Sequence, residues 1–103
     1  MRAAICAAFF GLILVLGACD KRAHCTGYNG SDGHLISAGS LTGCSDQKNR
    51  DVRCARGDEG KPYVCTCTEG GTTGKTFQRS EPLPSGAENL SKLAAEQCDW
   101  PLK

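Results

Sequence analysis

Three patterns of apolar and polar positions follow one another along the chain. Residues 3–16 are apolar or small throughout, with Phe9, Phe10, Leu12, Ile13, Leu14, Val15 and Leu16 at the centre. Residues 25–50 are rich in Gly, Ser, Asn and Asp, and their sizeable aliphatic residues are Leu35, Ile36 and Leu41. From Arg50 onward the pattern has period two. Val52 and Cys54 alternate with Asp51, Arg53 and Ala55, then Tyr63, Cys65 and Cys67 with Val64, Thr66 and Thr68. Successive strand residues point to opposite faces, so this alternation predicts two strands with Tyr63, Cys65 and Cys67 on one face. Gly57-Asp58-Glu59-Gly60 predicts a turn, and Glu69 to Gly74 a second. Lys75 to Arg79 then reads as a short strand with Phe77 inward, completing a three-stranded antiparallel meander.

Pro82 and Pro84 interrupt the chain, and Ser85 with Glu88 three residues on has the form of a capping box. Leu90, Leu93, Ala94, Gln97 and Cys98 recur at helical spacing. A helix from about Gly86 to Gln97 is expected to lay Leu90, Leu93 and Cys98 on the sheet. Trp100 follows its end and either folds back over the sheet edge or offers its apolar area to a partner. In the segment 25–50, Asn29-Gly30 and Asp32-Gly33 are turn dipeptides. That segment reads as a loop-rich lobe with one short strand near His34 to Ser37. The fold class expected is a small disulfide-rich α+β domain: a Gly-rich lobe, a three-stranded meander and a C-terminal helix.

Leu16-Gly17-Ala18-Cys19, placed directly after the apolar run, resembles the lipobox of bacterial lipoproteins. The run is about 14 residues, the length of a signal core and short of the about 20 a membrane span needs. The resemblance implies a signal peptide over 1–18, a lipid on Cys19, a polar tether over 19–24 and a domain over 25–103. It implies an envelope location facing the periplasm, with the membrane as a partner through the anchor. Asp20 after the modified cysteine resembles an inner-membrane retention signal. An ordinary signal peptide cut after Ala18 is the plainer alternative.

Charge excludes some functions. Without Arg2, the twelve basic residues become eleven and balance eleven acidic ones. Both signs are scattered, so bulk charge attracts neither nucleic acid nor an anionic membrane.

Six cysteines remain after Cys6 and Cys19: Cys25, Cys44, Cys54, Cys65, Cys67 and Cys98. An even set in a small exported chain reads as a disulfide framework. The expected pairs are Cys25–Cys44 closing the lobe, Cys54–Cys65 across neighbouring strands, and Cys67–Cys98 from sheet to helix. Cys65–Cys67 is excluded, because strand residues two apart lie near or beyond bridging distance. Metal binding is not expected, since neither a Cys-x-x-Cys nor a paired histidine spacing is present.

Candidate chemistry is sparse. The segment Gly70 to Thr76 has a Gly-Lys-Thr ending, but Glu69 stands where a phosphate loop needs its first glycine and a strand follows in place of a helix. Cys65-Thr66-Cys67 lies mid-strand, not at the helix start that activates a redox thiol. His24 belongs to the tether. His34 lies near Asp32, Ser31, Ser37 and Ser40, so a Ser/His/Asp assembly is conceivable without a nucleophile-elbow pattern. No catalytic residue, cofactor beyond the lipid, nucleotide or nucleic acid is expected. The reading is a non-catalytic binding module, with Trp100 and the Glu69–Lys75 hairpin as contact candidates for an envelope protein. The alternatives are an inhibitor or immunity-type protein that inserts this hairpin, and a thiol oxidoreductase or small enzyme.

Overall fold

Period-two burial runs through far more of the chain than its hydrophobic residues announce. The computed structural model describes residues 21–103. The apolar run, the Leu16–Cys19 segment and Asp20 lie outside those described residues. Five strands form one antiparallel sheet in sequential order: β1 (Cys25–Asp32), β2 (Ile36–Cys44), β3 (Arg50–Ala55), β4 (Tyr63–Glu69) and β5 (Thr72–Arg79). One helix, α1 (Ala87–Gln97), follows. The described residues are therefore mostly β, and the expected α+β fold with a three-stranded meander is corrected by two strands.

Those strands are the supposed loop lobe. Residues 25–44 form a hairpin, with Tyr28 opposite Leu41 and Gly30 opposite Gly39. Glycine and serine have little strand preference of their own, so pairing and packing create these strands. On β2, Ser37, Gly39, Leu41 and Cys44 are buried at alternating or near-alternating positions. Asn29-Gly30, read as a turn, lies within β1.

The second predicted turn contracts as well. Glu69 pairs with Thr72, leaving only Gly70 and Gly71 between β4 and β5. Both glycines have positive φ, 59° and 87°, as a tight type I′ hairpin requires.

α1 covers one face of the sheet, burying Leu90, Ser91 and Ala94 with Leu93 partly covered. It approaches β1, β2 and β5, so the sheet curls until both edge strands meet the helix. The capping box does not form. Gly86 occupies the cap position with φ 95° and gives no side-chain hydrogen bond, and Asn89 Nδ2 instead donates to the Ser85 carbonyl at 3.0 Å.

The core joins sulfur to a few large side chains. Cys25–Cys44, Cys54–Cys65 and Cys67–Cys98 are bonded, the three pairs expected from the topology. All six cysteines are buried with Leu41, Val52, Tyr63, Leu90 and Trp100. Ala23, placed in the tether by the sequence reading, is also core. It forms a parallel bridge with Leu102, donating to the Pro101 carbonyl at 2.6 Å and accepting from the Lys103 amide at 3.0 Å. His24 exchanges hydrogen bonds with Ser45, so packing against the sheet takes in the two residues before β1.

Candidate functional site

The antiparallel order sorts the connections into two ends. Ala23 marks one. There lie the β2–β3 loop 45–49, the Gly70-Gly71 turn and the segment after α1, tied by Ser45 to His24 and by the Gly70 amide to the Asn49 carbonyl at 2.8 Å. The β1–β2 turn 33–35 and the β3–β4 turn 56–62 lie at the opposite end. The Arg56 amide donates to the Leu35 carbonyl at 2.9 Å, and its guanidinium to the His34 carbonyl at 3.0 Å.

At the Ala23 end stands a group that hydrophobicity alone does not flag. Arg50 is fully buried. Its Nη2 lies 2.6 Å from Asp46 Oδ2 and 2.8 Å from Glu69 Oε2, and its Cζ is 5.8 Å from the centre of the Trp100 ring. The hydrogen bond from Arg50 holds the Asp46 carboxyl below the usual carboxylate range, against the opposing pull of partial burial. Burial pulls the Arg50 guanidinium downward, yet bonding to Asp46 and Glu69 outweighs it, and Arg50 stays charged. The signal was in the alternation: Arg50 is in phase with inward Val52 and Cys54.

This cluster explains where the contact candidates fall. Trp100 is buried beneath Arg50, not displayed. Glu69 is bound to Arg50, and Lys75 Nζ lies 2.6 Å from Asp99 Oδ2. The Glu69–Lys75 hairpin therefore has both named residues held within the chain, at the Ala23 end. The cysteines act as bridges. His34 and Asp32 are not brought together: His34 Nδ1 meets Glu59 Oε2 at 3.0 Å, whereas Asp32 accepts from Ser37 at 2.6 Å. The Ser37 oxygen in turn accepts from the Leu83 amide at 2.9 Å. Among the described residues, no three His, Cys, Asp or Glu side chains gather as a metal-ion site.

The sheet face opposite α1 carries no second layer among the described residues. A shallow trough of about 420 Å³ crosses it, where small Ala38 and Ser40 lie beside Asp51, Arg53, Thr66 and Thr68. Ser40 donates to Asp51 at 2.6 Å. Toward the 33–35 and 56–62 turns this face becomes apolar. Ile36 pairs with Ala55, and Ala55 with Val64, giving one cross-strand row over three strands. Ile36 and Val64 are the large apolar side chains left exposed among the described residues, at 50% and 49%. Arg53 and Thr66 follow this row on the same face, while His34 and Glu59 occupy the turns beyond it and Arg56 stacks 4.6 Å over the Tyr63 ring on the covered face. The geometry supports non-covalent contact: an apolar strip with a polar edge on a covalently stapled sheet. Sequence alternation already separates Val64 from Tyr63 and Cys65, but only the register unites it with Ile36. Neither a family model nor a curated protein nor a solved structure matches the chain.

Proposed function

We propose that the chain is a small envelope lipoprotein, anchored through Cys19 and facing the periplasm, whose domain is a non-catalytic module that docks a protein partner. The observation that carries the reading is the exposed Ile36–Ala55–Val64 row at the end of the sheet remote from Ala23. An anchor on Cys19 pulls on the Ala23 end, so this row faces away from the bilayer. A protein is the fitting occupant, because the strip is apolar with a polar edge and sits far from the anchor, where lipid does not reach. Two half-exposed aliphatic side chains make a small contact, suited to a transient complex. Three bridges keep the strip from rearranging, which lowers the entropic cost of docking. Asp20 favours the inner membrane.

The test places a photocrosslinking side chain at Val64 or, as a control at the Ala23 end, at Thr73. A discrete protein adduct from Val64, absent from Thr73 and lost with Ile36→Glu, is expected. Equal adducts from both positions, or an adduct unaffected by Ile36→Glu, overturns the docking surface. Intact mass of the chain isolated from membranes reads the lipid on Cys19 separately.

A further inference from the structure

The register that joins Ile36, Ala55 and Val64 places a second row beside them on the same open face. Two residues along their strands stand Ala38, Arg53 and Thr66, with Ser31 of β1 and Thr76 of β5 at the ends of the row. Arg53 is exposed at the middle of it. It differs from the other arginines of the sheet and its turns. Arg50 donates to Asp46 and Glu69, Arg56 to the His34 carbonyl, and Arg79 to the carbonyls of Glu81 and Pro82. The Arg53 guanidinium has no hydrogen bond or ion pair among the described residues. The nearby carboxylates are turned to hydroxyl donors: Asp51 accepts from Ser40 and Asp32 from Ser37, each at 2.6 Å. Ala38 and Ser40 are small, so open depressions flank Arg53. One of about 420 Å³ extends toward Thr66 and Thr68, and one of about 270 Å³ toward Asn29 and Ser31.

We propose that Arg53 is the anion contact of the docking surface, and that the protein partner presents an extended segment carrying an apolar residue and, two positions along, a carboxylate. The proposal rests on the docking reading of the Ile36–Ala55–Val64 row and names the chemistry of its occupant. Spacing carries it. Positions two apart on a strand are separated by about 6.5–7 Å, so the row of Arg53 follows the apolar row at that distance. An extended segment laid along the strands has the same rise, and its side chains two apart face the same way. An aliphatic side chain seated on Ile36 and Val64 therefore brings a carboxylate to Arg53. A planar guanidinium receives a carboxylate through two parallel hydrogen bonds, and it gives up water more readily than an ammonium does. The small residues beside it leave room for that approach. One row further on, Asp51 repels a second acid, so the surface accepts a single carboxylate and not an acidic run.

Two synthetic peptides serve as probes: acetyl-Thr-Leu-Thr-Glu-Thr-amide, and the same peptide with glutamine in place of glutamate. Each is titrated into the isotope-labelled full chain in phosphatidylcholine nanodiscs, and the Arg53 Nε–H and Val64 amide signals are followed by NMR. The glutamate peptide is expected to bind on the order of threefold more tightly, the scale of an exposed ion pair, and high salt is expected to remove the difference. Arg53→Gln, at an exposed position, equalises the two peptides, and Ile36→Ser weakens both by a similar factor. Equal binding of the two peptides to the unaltered chain, or a preference that Arg53→Gln leaves intact, overturns the role of Arg53; if Ile36→Ser still weakens both, the apolar row stands without it. Affinities unchanged by Ile36→Ser overturn the apolar half of the match and the docking row with it. Saturation by neither peptide overturns both readings. The same shifts from sodium acetate at equal concentration mean an adventitious ion only, which overturns recognition of a segment.

Discussion

The guanidinium of Arg50 lies over the ring of Trp100, 5.8 Å from its centre, and joins four separate parts of the chain. Arg50 opens β3, Asp46 belongs to the β2–β3 loop, Glu69 closes β4, and Trp100 follows α1. A buried guanidinium is costly unless its charge is matched and its donors are used. Here Nε and Nη1 also donate, to Glu69 and Asp46, so both carboxylates are held by more than one nitrogen. The cluster makes the Ala23 end a rigid platform, from which the exposed row at the other end is held in place.

Arg50→Met keeps much of the volume but strands two carboxylates and removes the stacking on Trp100. Breaking a buried pair from one side costs about 3–5 kcal/mol. The low end, about 3 kcal/mol, is expected, because Asp46 and Glu69 retain some contact with water. Urea unfolding at pH 7 measures it, and an unchanged midpoint would show that the cluster holds nothing together. Arg50→Lys is expected to recover little, since an ammonium cannot reproduce the planar fork.

Asp46 sets an acid limit on stability. Its folded carboxyl titrates below the unfolded value because Arg50 donates to it. A depressed carboxyl contributes stability that is present above the unfolded value and lost as pH falls through the folded one. The unfolding midpoint is thus expected to lose this contribution only below about pH 4. Asp46→Asn should lower the midpoint at pH 7 and flatten the decline below pH 4. Parallel acid limbs for the two proteins would assign the decline to other groups.

The parts of this fold that were legible in the sequence are those where alternation coincided with large or β-branched side chains. Val52 to Cys54, Tyr63 to Cys67 and Leu90 to Cys98 announced β3, β4 and α1, and their inward phases pointed to Cys54–Cys65 and Cys67–Cys98, with Cys25–Cys44 left to close the supposed lobe. β1 and β2 were illegible because Gly27, Gly30, Gly39 and Gly43 carry no such signal. There, structure supplies what sequence lacks: the Tyr28 ring lies across Gly30, and Leu90 packs on Gly39. The site was less visible still. Ile36, Ala55 and Val64 become one surface only through the register of three strands. For Trp100 the sequence left folding back and display to a partner both open, because the residue that covers it, Arg50, is distant in sequence and charged.

The three bridges should not be equivalent. Cys67–Cys98 spans a sequence separation of 31, against 19 for Cys25–Cys44 and 11 for Cys54–Cys65. It is also the bridge that ties α1 to the sheet. Chain-entropy reasoning assigns it about 3–4 kcal/mol and the shortest about 3 kcal/mol. Paired alanine variants compared by urea midpoint are expected to place Cys67/Cys98 lowest. A lower midpoint for Cys54/Cys65 would sink that ordering. Without denaturant, none of the three bridges should yield a thiol to an alkylating reagent under non-reducing conditions.

Gly39 tests how closely α1 lies on the sheet. A Cβ at this position would stand 2.8 Å from Leu90 Cδ2 and 3.5 Å from Tyr28 Cε1. Leu90 is fully buried and cannot swing into solvent. Forcing a methyl group into a packed core costs about 1–3 kcal/mol, while replacing a strand glycine with alanine returns about 0.5–1 kcal/mol. Gly39→Ala is therefore expected to destabilise by about 1 kcal/mol. The cause can be isolated, because truncating Leu90 removes the colliding methyl. In a Leu90→Ala background, itself costly, Gly39→Ala should become neutral or stabilising, and the difference between the two backgrounds is the coupling of the pair. If Gly39→Ala costs the same in both, the helix does not rest on Gly39 and the glycine is there for the backbone of β2 instead.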